Sequence, residues 1–291
     1  MRIAVIGAGR MGAIRATDLV TDPRVDDVVI TNRNESRARA LADELGGTFL
    51  PWADATSTDA LAALDASGFV VALATDAHSG TLSDVLRTGL PTLCEKPIAL
   101  TLEDTEDVID LATQHGTPLQ IGFQRRFDPG IRAMHERIAG GEVGVLYSLS
   151  LLSHDIAPSG REFIAGSGGI FRDLHVHDFD VVRWLTNSDI ETVYATTAVR
   201  AHRAYAEFDD ADTAVIHAVT ESGASEGRAA VLHFHHEERA AQVAEGLADA
   251  QLAVDELRAR GTAHAHCTCA TGNPTFENLD GLDGAEEVLG Q

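Results

Sequence analysis

Short apolar runs alternate with amphipathic segments over the first 122 residues. A run of three to five apolar residues predicts a strand that is buried on both faces, because such a strand carries no polar alternation. The segments between these runs place apolar residues at helical spacing and end at glycines, which predicts helices. The predicted strands are 3–6, 28–30, 69–73, 91–94 and 119–121, and the predicted helices are 11–20, 38–45, 75–89 and 108–115. This alternation predicts an α/β fold, a doubly wound parallel sheet that ends near residue 122.

The pattern is less regular after residue 122. We predict a helix over 131–139, a strand over 145–152 and a strand over 229–234. Two further helical stripes are formed by apolar residues three or four positions apart, namely Val176, Phe179, Val182 and Leu185, and then Val243, Leu247, Ala250, Val254 and Leu257. The tail after Gly261 is polar and is predicted to be disordered. These patterns divide the chain into 1–122, 123–260 and 261–291.

Composition and charge exclude several classes of protein. The hydrophobic content of 44% is that of a globular chain. The net charge of −23 argues against nucleic acid or an anionic membrane as a partner, since both require a basic surface. No apolar run approaches the ~20 residues of a membrane span, and the N-terminus does not resemble a signal peptide, so we expect a cytoplasmic protein. The three cysteines, Cys94, Cys267 and Cys269, form no disulfide framework.

A glycine motif follows the first predicted strand directly. Gly7-x-Gly9-x-x-Gly12 lies between that strand and the first helix, which is the setting in which this motif binds a dinucleotide. The first glycine permits a tight turn, the second lets a pyrophosphate approach the backbone, and the third lets helix and strand pack closely. Arg10 and Met11 lie inside the motif, and we include them among the predicted cofactor contacts. The motif therefore predicts NAD or NADP as cofactor.

The second predicted strand ends where the adenosine ribose is usually recognised. An acidic residue commonly lies about 20 positions after the glycines, but here the position holds Asn32, followed by Arg33 and, one helical turn later, Arg37. An amide does not repel a 2′-phosphate, and a guanidinium binds one well. NADP is therefore tolerated or preferred. The alternative is that Arg33 is a solvated loop residue.

Lys96 is the only lysine in the sequence. All other basic side chains are arginines, which cannot pass a proton because the guanidinium stays charged. Lys96 lies where a buried strand ends, the usual place for chemistry on an open parallel sheet, and Pro97 restricts the backbone after it. These features favour a catalytic lysine over the chance survival of one exposed lysine.

Asp173 and His177 form a second candidate pair. On a helix, residues four apart share one face, so the carboxylate would orient the imidazole as a general base. The alternative is an ordinary surface pair. A metal site at His175, His177 and Asp178 is disfavoured because residues two apart diverge on a helix, and a zinc site is disfavoured by the tight spacings of His264, His266, Cys267 and Cys269. Arg125 and Arg126 bind an anion or polyol, or are simply solvated.

These motifs together resemble one family. The glycine turn, Glu95-Lys96-Pro97, the segment 122–128 and the segment 168–178 occur in an order and at spacings similar to those of the glucose–fructose oxidoreductase/inositol dehydrogenase (Gfo/Idh/MocA) family. The nearest relatives would be the inositol 2-dehydrogenases. The resemblance implies a Rossmann domain that binds a nicotinamide cofactor, followed by an α+β domain with a mostly antiparallel sheet for substrate binding and oligomerisation.

The resemblance also implies functions for individual residues. It implies Lys96, Asp173 and His177 as the catalytic set, which also contacts the substrate. The further implied polyol contacts are Arg125, His154 and Asp155, and the further implied cofactor contacts are Thr75, His78 and Glu95. The expected reaction is NAD(P)-dependent oxidation of a secondary alcohol of a cyclic polyol or sugar, with myo-inositol as the leading candidate. A cofactor-binding protein without catalysis is the alternative.

The family pattern is lost after about Glu221. We hypothesise that a shifted reading frame or a lineage-specific replacement produced the sequence beyond it. The second sheet would then be incomplete, and the homo-oligomer and the activity that the resemblance implies would both be in question.

Overall fold

The computed structural model describes residues 1–155, 157–221, 229–235 and 264–270. It divides the chain into two compact units, each built from two separate stretches of sequence. The first unit comprises Met1–Gln124 and Gly160–His177, and the second comprises Arg125–Ser159 and Asp178–Gln291. A segment from the middle of the chain therefore belongs to the first unit.

The first unit contains a parallel sheet of six strands with the order β3-β2-β1-β4-β5-β6. The strands are β1 Arg2–Ile6, β2 Asp27–Thr31, β3 Thr48–Phe49, β4 Gly68–Val71, β5 Thr92–Cys94 and β6 Leu119–Ile121. The helices between them are α1 Arg10–Thr21, α2 Glu35–Leu45, α3 Thr58–Ala62, α4 His78–Leu86 and α5 Leu102–His115. The strand order reverses direction between β1 and β4, which defines the switch point of a Rossmann sheet. The predicted doubly wound fold is confirmed.

Both faces of this sheet are buried. Successive residues of β1 point to opposite faces, so Ala4 and Ile6 join one apolar cluster and Val5 joins the other. The two clusters are covered by different helices, with α4 and α5 contributing to the first and α1 and α2 to the second. This arrangement explains why the strands carry continuous apolar runs.

The second unit contains a sheet of five described strands with the order β11-β7-β10-β9-β8. The strands are β7 Ser148–His154, β8 Ile190–Ala198, β9 Thr213–Thr220, β10 Ala229–His235 and β11 His264–Ala270. Strand β9 is antiparallel to its two neighbours, β8 and β10, whereas β7 is parallel to its two neighbours, β10 and β11. Helices α6 Pro129–Ala139 and α8 Val176–Thr186 contribute Ile131, Met134 and Val182 to a core with Leu149 and Ile216. The expected α+β architecture is thus confirmed.

Several predicted boundaries are corrected by local hydrogen bonds. Helix α2 begins at Glu35 because the side chain of Asn34 caps it, and α5 begins at Leu102 because Thr101 caps it. These first turns contain too few apolar residues to show a helical period. A short helix, α7 Arg161–Gly166, and strands β8 and β9 were not predicted from the residue pattern.

The C-terminal predictions have different outcomes. The strand predicted at 229–234 is β10, which is confirmed. Within the tail that was predicted to be disordered, His264–Ala270 is a strand. The helix predicted between Val243 and Leu257, and the rest of the tail, lie outside the described residues. No helix in the described ranges is long and apolar enough to cross a membrane.

Candidate functional site

The three glycines of the turn after β1 have distinct surroundings. Gly7 has a φ of +121°, and a Cβ there would lie 2.3 Å from the carbonyl oxygen of Ala72. A Cβ on Gly12 would lie 1.9 Å from the carbonyl oxygen of Gly7. A Cβ on Gly9 would meet no atom within 4 Å. Gly7 and Gly12 are therefore required by the fold itself, whereas the space beside Gly9 is open to a ligand.

This open space fits a dinucleotide. Gly9 is the residue before α1, so the first N–H groups of a twelve-residue helix face the turn. Such N–H groups bind the pyrophosphate of dinucleotides in Rossmann folds. Arg10 is exposed and begins the helix, while Met11 is partly buried against the apolar cluster around Val5. The turn thus combines a tight backbone, an open cradle and a cation.

The loop after β2 is tied to the glycine turn. Asn32 accepts a hydrogen bond from the backbone N–H of Ala8 (3.2 Å) and donates to the carbonyl oxygen of Asn34 (3.2 Å). Arg33 and Arg37 are exposed on this loop and at the start of α2. The Arg33 guanidinium carbon lies 5.9 Å from the centre of the Trp52 ring. The residues predicted to recognise the adenosine ribose are therefore brought to one corner.

Lys96 and Asp173 are brought together although 77 positions separate them. The Lys96 Nζ atom donates to Asp173 Oδ1 at 2.8 Å and also to the Asp173 backbone carbonyl. The two side chains are only 17% and 24% exposed, so the ion pair is partly shielded but reachable from solvent. The peptide bond between Lys96 and Pro97 is cis. The sole lysine is thus anchored at the carboxyl end of β5.

The segment that carries Asp173 differs from its prediction. We expected an α-helix over Asp173 and His177, but residues Phe171–His175 form a π-helical turn and α8 begins only at Val176. The turn follows Gly168 and Gly169, which have φ values of +82° and +86°. A π turn is wider than an α turn, and such turns are frequent at functional sites. The carboxylate of Asp173 accepts from Lys96, and its predicted pairing with His177 stays a prediction.

His177 is buried, with an exposure of 6%. Its ring packs edge-to-face against Phe123, with ring centres 6.4 Å apart. Phe123 follows β6, and His177 lies in the first turn of α8. The first unit therefore contains Lys96, Asp173 and His177, the three residues predicted as catalytic.

Glu95 and His78 were predicted to contact a cofactor, but both are buried in the first unit. Glu95 is 4% exposed, and its Oε1 atom accepts a hydrogen bond from Arg15 Nε at 2.8 Å. His78 is 1% exposed, and its two ring nitrogens face the carbonyl oxygens of Pro97 (2.8 Å) and Leu73 (3.1 Å). Burial lowers the pKa of His78, although the carbonyl oxygens oppose this shift. Both side chains lie beside the backbone around Lys96, and their contact with a cofactor stays a prediction.

Thr75 remains accessible in a short 3₁₀ turn before α4. Arg15 was not among the predicted site residues. The sequence indicates Arg15 only indirectly. A glutamate at the end of a buried strand requires a cationic partner, and only the fold shows which residue supplies that partner.

The second unit contains a buried polar cluster around Asp178. This residue is fully buried, and its Oδ1 atom accepts from the Arg125 guanidinium and from the Ser153 hydroxyl at 2.9 Å. Arg126 makes a bidentate pair with Asp180 at 2.8 and 2.6 Å. Neither arginine is therefore a simply solvated residue. Asp178 and Ser153 were missed as partners because the sequence separates them from Arg125 by 53 and 28 positions.

The other residues predicted to contact a polyol lie at the end of β7. His154 is the last residue of that strand, and Asp155 follows it. Both are partly buried. Across the described ranges, no group of three histidine, cysteine or acidic side chains is arranged to hold a metal ion. The side chains of His264, His266, Cys267 and Cys269 lie outside the described part of the structure.

Two sequence models of one family match this chain. The model described as "Oxidoreductase family, NAD-binding Rossmann fold" matches residues 1–123. The model described as "GFO/IDH/MocA C-terminal domain" matches residues 131–232. The matches therefore include both units, and the second extends into β10.

Named relatives carry the same kind of description. Myo-inositol dehydrogenase Hyg17 of Streptomyces leeuwenhoekii is 38% identical over 214 residues, which are 73% of this chain and 64% of that protein. A myo-inositol dehydrogenase structure from Corynebacterium glutamicum aligns with a TM-score of 0.71 and 34% identity, covering 81% of this chain and 68% of that one. A scyllo-inositol dehydrogenase from Lactobacillus casei with bound NAD(H) and scyllo-inositol has a TM-score of 0.66 at 25% identity and covers 81% and 70%. The chain thus spans 64% of the length of the Streptomyces relative.

Proposed function

Since this chain belongs to the Gfo/Idh/MocA family of oxidoreductases, we propose that it is an NAD(P)-dependent dehydrogenase. The proposed reaction oxidises a secondary alcohol of a cyclic polyol or sugar, and myo-inositol is the substrate we expect. The observation that carries the proposal is the Lys96–Asp173 pair at the carboxyl end of a Rossmann strand. The names of the relatives support the substrate class.

Lys96 is proposed to stabilise the negative charge that develops on the substrate oxygen. An ammonium has three N–H donors, and Asp173 accepts from Lys96 with its carboxylate and with its backbone carbonyl. The remaining donor is available to a substrate hydroxyl. Because Asp173 fixes the lysine from two sides, the donor is aimed before the substrate arrives, which is how a preorganised site lowers a barrier.

His177 is proposed as the base that accepts the hydroxyl proton. Imidazole is suited to this step because it gains and loses a proton near neutral pH. Its burial and its contact with Phe123 restrict the orientation of the ring. Asp173 is assigned to Lys96 in this scheme.

The cofactor is proposed to lie along the glycine turn. Gly7, Gly9 and Gly12 shape the cradle, with Arg10 and Met11 beside it, and Thr75 is proposed further along the site. When bound, the nicotinamide ring supplies the hydride acceptor for the reaction. Arg125, His154 and Asp155 are proposed as polyol contacts.

A cofactor-binding protein without catalysis is the alternative, and it is not favoured. The names of the relatives, which are dehydrogenases, favour an enzyme. A homo-oligomer is also proposed from family membership, and light scattering after size exclusion measures it.

Cofactor reduction assayed with a panel of inositols and aldoses, using both NAD and NADP, tests the proposal. We expect turnover with at least one inositol. The Lys96→Met variant should lower kcat by about 100-fold or more, because one charge-stabilising donor is lost, while cofactor affinity measured by titration is unchanged. Arg87→Met removes an exposed cation from the residue directly after α4 and should leave kcat unchanged. Full turnover by Lys96→Met, or cofactor binding without turnover on any polyol, would contradict the proposed function.

A further inference from the structure

The corner where the adenosine ribose is recognised carries no acidic side chain at the usual position. Asn32 occupies that position, and its amide group is already used by the backbone of Ala8 and by Asn34. The amide therefore holds the loop against the glycine turn. A carboxylate at this position would accept from the 2′-hydroxyl of NAD and repel the 2′-phosphate of NADP. Asn32 does neither.

Two guanidinium groups flank this position and pair with no carboxylate in the described ranges. Arg33 lies over Trp52, and Arg37 projects from the first turn of α2. Elsewhere in this acidic chain arginines are commonly paired, as Arg24 is with Asp22 and Arg126 is with Asp180. The two guanidinium groups are thus left available for an anionic ligand.

The carboxylate of Glu35, which is the acidic residue next to these arginines, already accepts another hydrogen bond. Glu35 Oε1 accepts from the backbone N–H of Trp52 at 2.9 Å. This contact holds the carboxylate against the Trp52 backbone. The N-terminus of α2 is likewise occupied, since Asn34 accepts from the backbone N–H of Arg37. Recognition of an anion here therefore depends on the arginine side chains.

We propose that this corner selects the 2′-phosphate of NADP over the 2′-hydroxyl of NAD. The inference rests on the proposed function for the presence of a nicotinamide dinucleotide at the glycine turn. A dianionic phosphate accepts charge-assisted hydrogen bonds from guanidinium groups, which suit it in shape and charge. The Arg33 guanidinium already lies over the Trp52 ring. Since both arginines are exposed, the selectivity decreases as salt is added.

Equilibrium titration of the full chain with three nucleotides tests the proposed 2′-phosphate selectivity and requires no activity assay. The probes are 5′-AMP, 2′,5′-ADP and 3′,5′-ADP, of which the last two carry the same charge and differ only in the position of one phosphate. We expect 2′,5′-ADP to bind about tenfold or more tightly than either other probe, as expected for hydrogen bonds to a charged group. The double variant Arg33→Gln/Arg37→Gln should lose this advantage while its 5′-AMP affinity is unchanged. Arg39→Gln, which removes a cation from the same helix, should keep it.

The Asn32→Asp variant provides the opposite change. It should weaken 2′,5′-ADP and NADP by about tenfold through charge repulsion and leave 5′-AMP, whose 2′-hydroxyl a carboxylate can accept from, at least as tightly bound. Equal affinity of the native chain for 2′,5′-ADP and 3′,5′-ADP, or equal losses for all probes in the double variant, would overturn the inference. Its failure is distinguishable from that of the proposed function. NAD-linked oxidation of an inositol without 2′-phosphate selectivity would contradict only the inference about NADP. Selective binding of 2′,5′-ADP without turnover of any polyol would contradict only the proposed function.

Discussion

The three glycines of the first turn are required for different physical reasons. Gly12 packs on the Gly7 carbonyl, and Gly7 combines a positive φ with close contact to Ala72. Gly9 has neither constraint within the protein. Its absence of a side chain matters only if a ligand occupies the space in front of it.

We therefore expect Gly12→Ala and Gly9→Ala to differ. Gly12→Ala must push the backbone of Gly7 away, which should lower the free energy of unfolding by about 1–3 kcal/mol or more. Gly9→Ala should leave unfolding unchanged but weaken cofactor binding, because the methyl group enters the cradle. Urea unfolding and cofactor titration on the same two variants measure both effects. A Gly9→Ala variant that binds cofactor normally would show that the cradle is not used.

His78 provides a pH-dependent contribution to stability. Burial lowers its pKa below the ordinary value of 6.5. The unfolded state therefore binds a proton more readily than the folded state, and stability decreases as the pH falls below about 6.5. The contribution is fully present above that pH and is lost toward the lower pKa of the folded protein.

Removal of the imidazole should reduce this pH dependence. The His78→Gln variant keeps a polar group near the carbonyl oxygens of Leu73 and Pro97 but does not titrate. We expect its free energy of unfolding to fall less than that of the native chain between about pH 7.5 and pH 5.5, the range in which histidine changes charge. The comparison isolates His78 from the other histidines. Parallel curves for the two proteins would show that His78 is not responsible.

At the scale of elements, Arg15 joins α1 to the end of β5. The side chain of Glu95 is 6% exposed and that of Arg15 is 21% exposed, so their ion pair is largely removed from water. A Cβ on Gly122 would lie 2.8 Å from Glu95 Oε2, so β6 also confines this carboxylate. Lys96 follows Glu95 directly, and the pair therefore restrains the backbone from which the lysine extends.

Removal of Arg15 alone should lower the free energy of unfolding more than removal of both Arg15 and Glu95. Arg15→Met leaves a buried carboxylate unpaired and should lower the free energy of unfolding by about 3–5 kcal/mol. Glu95→Gln should cost less, since the more exposed Arg15 can reach water. In the double variant the two decreases in the free energy of unfolding should not add. A double-mutant cycle by urea denaturation measures the coupling, and strict additivity would rule out a direct pair.

The parts of the fold that follow a hydrophobic period were predictable, and those that depend on distant partners were not. Val5 and Ile6 are buried on opposite faces, and such runs identify the Rossmann strands directly. Strand β8 has no buried alternation, because residues 191–197 are all exposed, so no hydrophobic period marks it. In the site, the glycine turn and Lys96 could be identified from local context. The pairing of Lys96 with Asp173 depends on the π turn after Gly168 and Gly169, and no local spacing specifies it.

At the scale of the whole molecule, the net charge of −23 is the dominant electrostatic property. Like charges on one compact surface repel one another and destabilise the folded state. The Debye length shortens from about 30 Å at 0.01 M salt to about 8 Å at 0.15 M, which screens most of this repulsion.

We therefore expect Tm to rise as NaCl is added over this range. Scanning calorimetry at several ionic strengths measures the change. KCl at the same ionic strength should have the same effect if screening is the cause. A Tm that falls with salt would indicate that ion pairs such as Arg126–Asp180 outweigh the repulsion.

Strand β10 has a consequence for how the second unit can vary. It is the strand that links β7 to the β8–β9 hairpin in the described sheet, with backbone ladders along both of its edges. A proline at a ladder position would delete a donor needed by one neighbour. A single inserted residue would shift its backbone pairing against both neighbours by one position. Sequence change in this sheet is therefore limited at seven consecutive positions, Ala229–His235, whose register joins both neighbouring strands.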